Sequence, residues 1–164
     1  LLPLGNGFYV KESEKKVAVV GGGVGIFPLI AAIRAYSKHK QVYAYMGFRG
    51  RAAVCMEYEM ARGEKLVIAT DDGSSGFHGT SVQAFMQDFD AVKPDVVLAC
   101  GPTPMLRALK TAMAGKNVPV YVSLEERMGC GIGACLVCVC EKTGGAHARV
   151  CKDGPVFEIN DVEL

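Results

Sequence analysis

The sequence predicts an α/β protein: five parallel strands doubly wound by helices, followed by a small cysteine-rich unit. Three observations predict it. Short β-branched runs alternate five times with amphipathic segments of helical length, a knot of glycines follows the first run, and five of the seven cysteines crowd between Cys130 and Cys151. Such alternation with short connections is the pattern of a parallel sheet covered on both faces.

Taken in order, Lys16 to Val20 (KVAVV) is the first strand and runs into the glycine loop. Phe27 to Lys38 then carries Leu29, Ile30, Ala32 and Ile33 at helical spacing. Gln41 to Met46 is the second strand, Arg51 to Ala61 a helix closed by Gly63, and Leu66 to Thr70 the third strand. Asp71 to Gly79 (DDGSSGFHG) is a loop. Thr80 or Ser81 caps the next helix, which sets Val82, Phe85, Met86 and Phe89 on one face to about Asp90. Pro94 introduces the strand Val96 to Cys100. A helix from Thr103 to Ala114 and the strand Pro119 to Ser123 complete the series. After Ser123 the rhythm stops. What remains is rich in Gly and Cys, too poor in apolar residues for a second core, and in need of a staple.

Composition excludes several classes of function. Half of the 164 residues are hydrophobic and 21% are charged, which fits a packed core and not a disordered chain. A net charge of +1 without basic or acidic blocks speaks against nucleic acid and anionic membranes, and for small-molecule work. The uncharged stretch from Val17 to Ile33 contains Gly21, Gly22, Gly23, Gly25 and Pro28, so it reads as strand, loop and helix start and not as a membrane span. No basic leader with a cleavage site is visible. The odd, clustered cysteines point to metal in a reducing compartment, with the cytosol as the expected location. The chain begins without Met, so processing or a cut upstream is expected.

Gly21-Gly22-Gly23-Val24-Gly25 lies between the first strand and first helix, where backbone amides and the helix dipole receive a pyrophosphate. The common GxGxxG is not met, because Ile26 takes its third glycine position, and no carboxylate ends the second strand. A merely tight turn is the bland alternative. In a doubly wound sheet the crevice opens where strand order reverses, commonly between the first and fourth strands. The fourth strand ends in Cys100-Gly101-Pro102-Thr103-Pro104-Met105, a small soft residue and a glycine against which a flat ring can lie. Cys100 as an ordinary core cysteine is the competing reading.

Residues 17–28 (VAVVGGGVGIFP) and 100–105 (CGPTPM) resemble the nucleotide-binding domain of the ferredoxin reductase family. The resemblance implies NAD or NADP, with Gly21 to Gly25 at the pyrophosphate and Cys100, Gly101, Pro102 and Met105 by the nicotinamide. Asp71 is a further candidate contact, with a solvated loop as its equal alternative. Arg49 and Arg51 read as surface charges or as contacts to a 2′-phosphate, and the choice between NAD and NADP stays open.

Cys130, Cys135 and Cys138 are spaced C-x4-C-x2-C, and Cys151 follows after twelve residues. This is the ligand order of a plant-type [2Fe-2S] centre. Gly129, Gly131, Gly133 and Ala134 let the loop wrap closely and turn its amides toward sulfur. A Cys₄ zinc staple is the competitor, although paired C-x2-C knuckles are lacking. Cys140 reads as packed, His147 as a loop histidine, Glu125 and Glu126 as surface groups, and Cys55 has no assigned role.

Residues 123–140 (SLEERMGCGIGACLVCVC) and 150–157 (VCKDGPVF) resemble the iron–sulfur electron transfer subunits of NAD-linked dihydroorotate dehydrogenases of pyrimidine synthesis, a likeness that runs from Leu2 onward. Related subunits of sulfide dehydrogenases and hydrogenases share the ending. The resemblance implies a five-stranded NAD-binding domain over residues 17–123, a [2Fe-2S] domain over 124–164, and residues 1–16 as a join after an FAD-binding barrel of the intact subunit. Electrons would pass between an FMN-containing catalytic partner and NAD by way of the cluster and FAD, and no acid or base is required. A zinc-stapled nucleotide-binding module without a redox role is the alternative from another class.

Overall fold

A computed structural model describes residues 4–164; residues 1–3 of the expected join lie outside it. The main sheet contains β1 (Lys16–Gly22), β2 (Gln41–Phe48), β3 (Lys65–Thr70), β4 (Phe77–His78), β5 (Val96–Cys100), β6 (Val120–Ser123) and β9 (Val156–Glu158). Their spatial order is β4-β3-β2-β1-β5-β6-β9, with β9 alone antiparallel. The five expected strands are present in register, and two short strands extend the sheet at its edges. Chain order reverses between β1 and β5, which is where the crevice was expected.

The period of two along β1 sorts its side chains onto two cores. Val17 and Val19 pack with α1 (Ile26–Tyr36) through Ile26, Leu29 and Ile33. Ala18 and Val20 face α3 (Ser81–Val92) and α4 (Thr103–Met113), where Phe85, Leu106 and Leu109 fill the other side. Thr80 caps α3 as expected. Its hydroxyl accepts the Gln83 N–H at 3.2 Å, and the Gln83 side chain accepts the Thr80 N–H at 2.8 Å, which satisfies two otherwise orphaned donors.

The helix expected over Arg51 to Ala61 is mostly absent. A 3-10 turn at Arg51–Ala53 gives way to extended Val54, Met56 is left-handed at φ 58°, and only α2 (Glu57–Met60) is helical. Along this run only Met60 is buried, so no continuous apolar stripe stabilises more turns. The loop after β3 also departs from expectation, since Phe77 and His78 add a parallel edge to it.

After Ser123 the chain runs irregularly to a hairpin of β7 (Val139–Glu141) and β8 (His147–Arg149), then to α5 (Val150–Asp153). Its small core is Cys138, Cys140, Ala148, Val150 and Cys151, with Leu124 and Phe157 packed against it. The last residues return to the main sheet. β9 pairs with β6, and Ile159 and Val162 are buried in the second main core. An uncovered β6 would leave an open sheet edge.

Candidate functional site

Backbone proximity makes the first part of the site. Gly22, Gly23 and Val24, Pro102 and Met105, and Asp71 line one crevice of about 650 Å³ at the C-terminal ends of the strands. The glycines serve different ends. A Cβ on Gly21 would lie 2.7 Å from Met46 Sδ, and one on Gly22 would lie 2.8 Å from Met105 Sδ. Gly23 alone is open, with φ +56° and nothing within 4 Å of a Cβ. Packing therefore requires Gly21 and Gly22, whereas Gly23 is set by its backbone angle. Pro104 stands within the first turn of α4, where its missing N–H costs nothing.

Gly25 and Gly101 line a neighbouring pocket of about 280 Å³ with Thr103, Glu125, Glu126 and Cys140. Cys100, fully buried at the end of β5, points its Sγ to within 3.9 Å of Glu125 Oε1. Burial, with the Glu125 charge adding to it, pushes the Cys100 thiol up to about 11, so it stays protonated at neutral pH. Glu125 is exposed, as expected of a surface group, yet it is also the polar neighbour of Cys100. Nothing in the local sequence signals that contact, because the two residues end adjacent strands far apart in the chain.

Sequence reasoning also missed Cys55 and Thr80 as crevice residues, whereas Arg49, one of its two candidates for a 2′-phosphate, does line the crevice. Arg51 is turned away and pairs with Glu57 at 2.7 Å. Arg49 is exposed at the crevice edge.

The second part of the site is the cysteine loop. Cys130 Sγ accepts N–H bonds from Ile132, Ala134 and Cys135 at 3.4, 3.2 and 3.4 Å. The Cys130 N–H donates to Cys135 Sγ at 3.3 Å, and the Cys151 N–H to Cys138 Sγ at 3.4 Å. Gly131 at φ +71°, Gly133 at +81° and Leu136 at +58° turn the backbone so that these amides point inward. The amide donors hold the Cys130 thiol down at about 6. The four sulfurs stand as two pairs, 130 with 135 and 138 with 151. Among the described residues no three Cys, His, Asp or Glu are set around one ion position.

A [2Fe-2S] centre takes two sulfurs on each iron and leaves negative charge on them. Two thiol pairs, the first accepting four N–H bonds and the second one, fit that group. Around the loop Met128, Ile132, Leu136 and Val137 are all exposed. Cys140 is buried in β7 and paired with Ala148 in the hairpin, so it packs as expected. Among the described residues no helix is long and apolar enough to cross a membrane.

Residues 125–163 match the family described as the iron–sulfur cluster binding domain of dihydroorotate dehydrogenase B. The chain is 44% identical, over 99% of its length, to the electron transfer subunit of dihydroorotate dehydrogenase B (NAD(+)) from Geobacillus kaustophilus. It is 43% identical, over 94% of its length, to that of Clostridium acetobutylicum. It spans 63% and 60% of those two proteins. Among solved structures, a chain of an NADH-dependent reduced ferredoxin–NADP oxidoreductase superposes with a TM-score of 0.86 at 28% identity, covering 99% of this chain and 59% of that one. The C-terminal domain of a Pyrococcus furiosus hydrogenase shares the fold, with a TM-score of 0.55 at 16% identity over 74% of this chain and 99% of that domain. The fold is of the ferredoxin reductase type, with a cysteine-rich iron–sulfur binding region toward the C-terminus.

Proposed function

We propose, from a chain related over 99% of its length to electron transfer subunits of dihydroorotate dehydrogenase B, that it is the nicotinamide-binding and cluster-binding portion of such a subunit. The whole protein would carry electrons between a dihydroorotate-oxidising, FMN-containing partner and NAD, in the cytoplasm and in service of pyrimidine synthesis. Nicotinamide exchanges a hydride, a [2Fe-2S] centre carries one electron, and the FAD of the whole protein converts between them.

The residues of this chain bind and orient. Gly22, Gly23 and Val24 present backbone at the start of α1 to a pyrophosphate, while Gly21 and Gly25 let strand and helix close up behind them. Gly101, Pro102 and Met105 form the wall for a flat ring, with the neutral Cys100 thiol beneath. Asp71 lines the crevice and would accept a ribose hydroxyl there. Cys130, Cys135, Cys138 and Cys151 would hold the cluster, and the loop amides damp the charge on their sulfurs. The exposed apolar side chains beside them suit a protein partner better than water.

The observation that carries this reading is the arrangement of the four thiols in two pairs that accept backbone N–H bonds. Anaerobic purification of the 164-residue chain tests it. Visible absorption, with about two irons and two sulfides per chain, is the expected result, and NADH should raise the thermal midpoint. A colourless chain with stoichiometric zinc and no iron overturns the redox reading.

A further inference from the structure

Arg149 joins the two halves of the cysteine site. It ends β8, two residues before Cys151, and its Nη1 donates to the Gly133 carbonyl at 3.2 Å. Gly133 lies within the loop between Cys130 and Cys135, so one guanidinium arm reaches the loop of the first thiol pair. The other arms hold Asp153, with Nε at 2.9 Å and Nη2 at 3.1 Å, at the end of the helix that carries Cys151. The Arg149 N–H also donates to Asp153 at 2.8 Å.

Gly133 is buried and has no room for a side chain, because a Cβ would meet the Lys152 stem at 2.7 Å. Its carbonyl is held by the same guanidinium that grips Asp153, so one side chain ties the loop of the first pair to the helix that carries Cys151. A single cation thus touches the loop of one pair and stands two residues from a ligand of the other. Arg149 is a third exposed and Asp153 slightly more, so solvent weakens this field without removing it.

We propose that Arg149 is a positioning residue that sets the reduction potential of the cysteine-held centre, its charge favouring the reduced state and its fork fixing the loop against α5. The inference rests on the reading of the four thiols as cluster ligands. One-electron reduction adds one negative charge to the ligand set, and a nearby cation stabilises the product more than the reactant. Asp153 partly offsets that cation.

The test uses the iron-loaded chain and variants R149Q, R149K and D153N, with dithionite titration followed by visible and electron paramagnetic resonance spectra. R149Q should shift the midpoint to more negative potential with iron and sulfide retained. R149K should keep the midpoint near that of the parent but release iron to a chelator several-fold faster. D153N should shift the midpoint to more positive potential. Iron-loaded R149Q with the parent midpoint overturns the proposal, as does a pure strut, for which R149K and R149Q would behave alike. If R149Q fails to take up iron, an unmoved midpoint in D153N overturns it. An iron-free parent chain overturns the reading of the site and this assignment with it, whereas an unmoved potential in loaded chain overturns the assignment alone.

Discussion

Gly25 stands with its backbone against that of Cys100: a Cβ on Gly25 would lie 2.5 Å from the Cys100 carbonyl oxygen and 2.6 Å from the Gly101 nitrogen. Its φ of −62° suits any residue, so space and not conformation demands glycine there. Closing this gap brings the start of α1 beside the loop after β5 and shapes the crevice between them.

G25A should therefore force α1 away from β5 and cost about 3 kcal/mol, with NADH protection lost as well. G23A meets no atoms, and its only burden is the left-handed backbone at φ +56°, roughly 1 kcal/mol. Urea denaturation of the two variants checks the order. Equal losses would mean that the Gly25 contact is not a packing constraint.

Ile159 is 1% exposed and belongs to the second main core, although it lies beyond the cysteine loop. I159A should destabilise the sheet by about 2–5 kcal/mol in a single cooperative transition. A separate early transition, leaving the sheet unaffected, would show that the tail melts on its own.

Cys100 supplies a pH dependence. Its thiol is pushed up from 9.0 to about 11, chiefly by burial and then by Glu125, so the folded chain keeps a proton that the unfolded chain releases from pH 9 upward. The resulting stability is complete below pH 9 and is lost as pH rises through 11. Denaturation midpoints measured from pH 8 to 11 should fall more steeply for the parent than for C100A, and E125Q should lower the end of that window. Parallel curves for parent and C100A would refute the burial of a neutral thiol.

Asn6 ties the first described residues to the arm that follows α5. Its Nδ2 donates to the Asp153 and Val156 carbonyls at 3.3 and 3.0 Å, and its Oδ1 accepts the Val156 N–H at 2.8 Å. N6A should cost about 1 kcal/mol and speed iron release to a chelator, because the clamped arm is continuous with the helix that carries Cys151. Unchanged release kinetics would mean that the clamp does not support the cysteine site.

The five central strands and the three helices α1, α3 and α4 were legible because strand alternation and helical spacing are local patterns. Thr80 and Gln83 show this most plainly, since a cap needs only residues three apart. The Arg51 to Ala61 segment misled because it is rich in helix-forming residues but has only Met60 to bury. Gly21 to Gly25 read as one loop with one purpose, whereas their neighbours divide them into packing contacts and one open turn.

Readable from residue order alone were the succession of elements, the glycine loop at the end of β1 and the spacing of Cys130, Cys135, Cys138 and Cys151. Each of these is written in short-range periodicity or spacing. Packing settled that β9 closes the edge at β6, that Cys100 meets Glu125, and that Arg149 ties the Cys130–Cys135 loop to α5. Those relations join residues from different elements, and where they meet depends on how the buried faces of the sheet and helices pack.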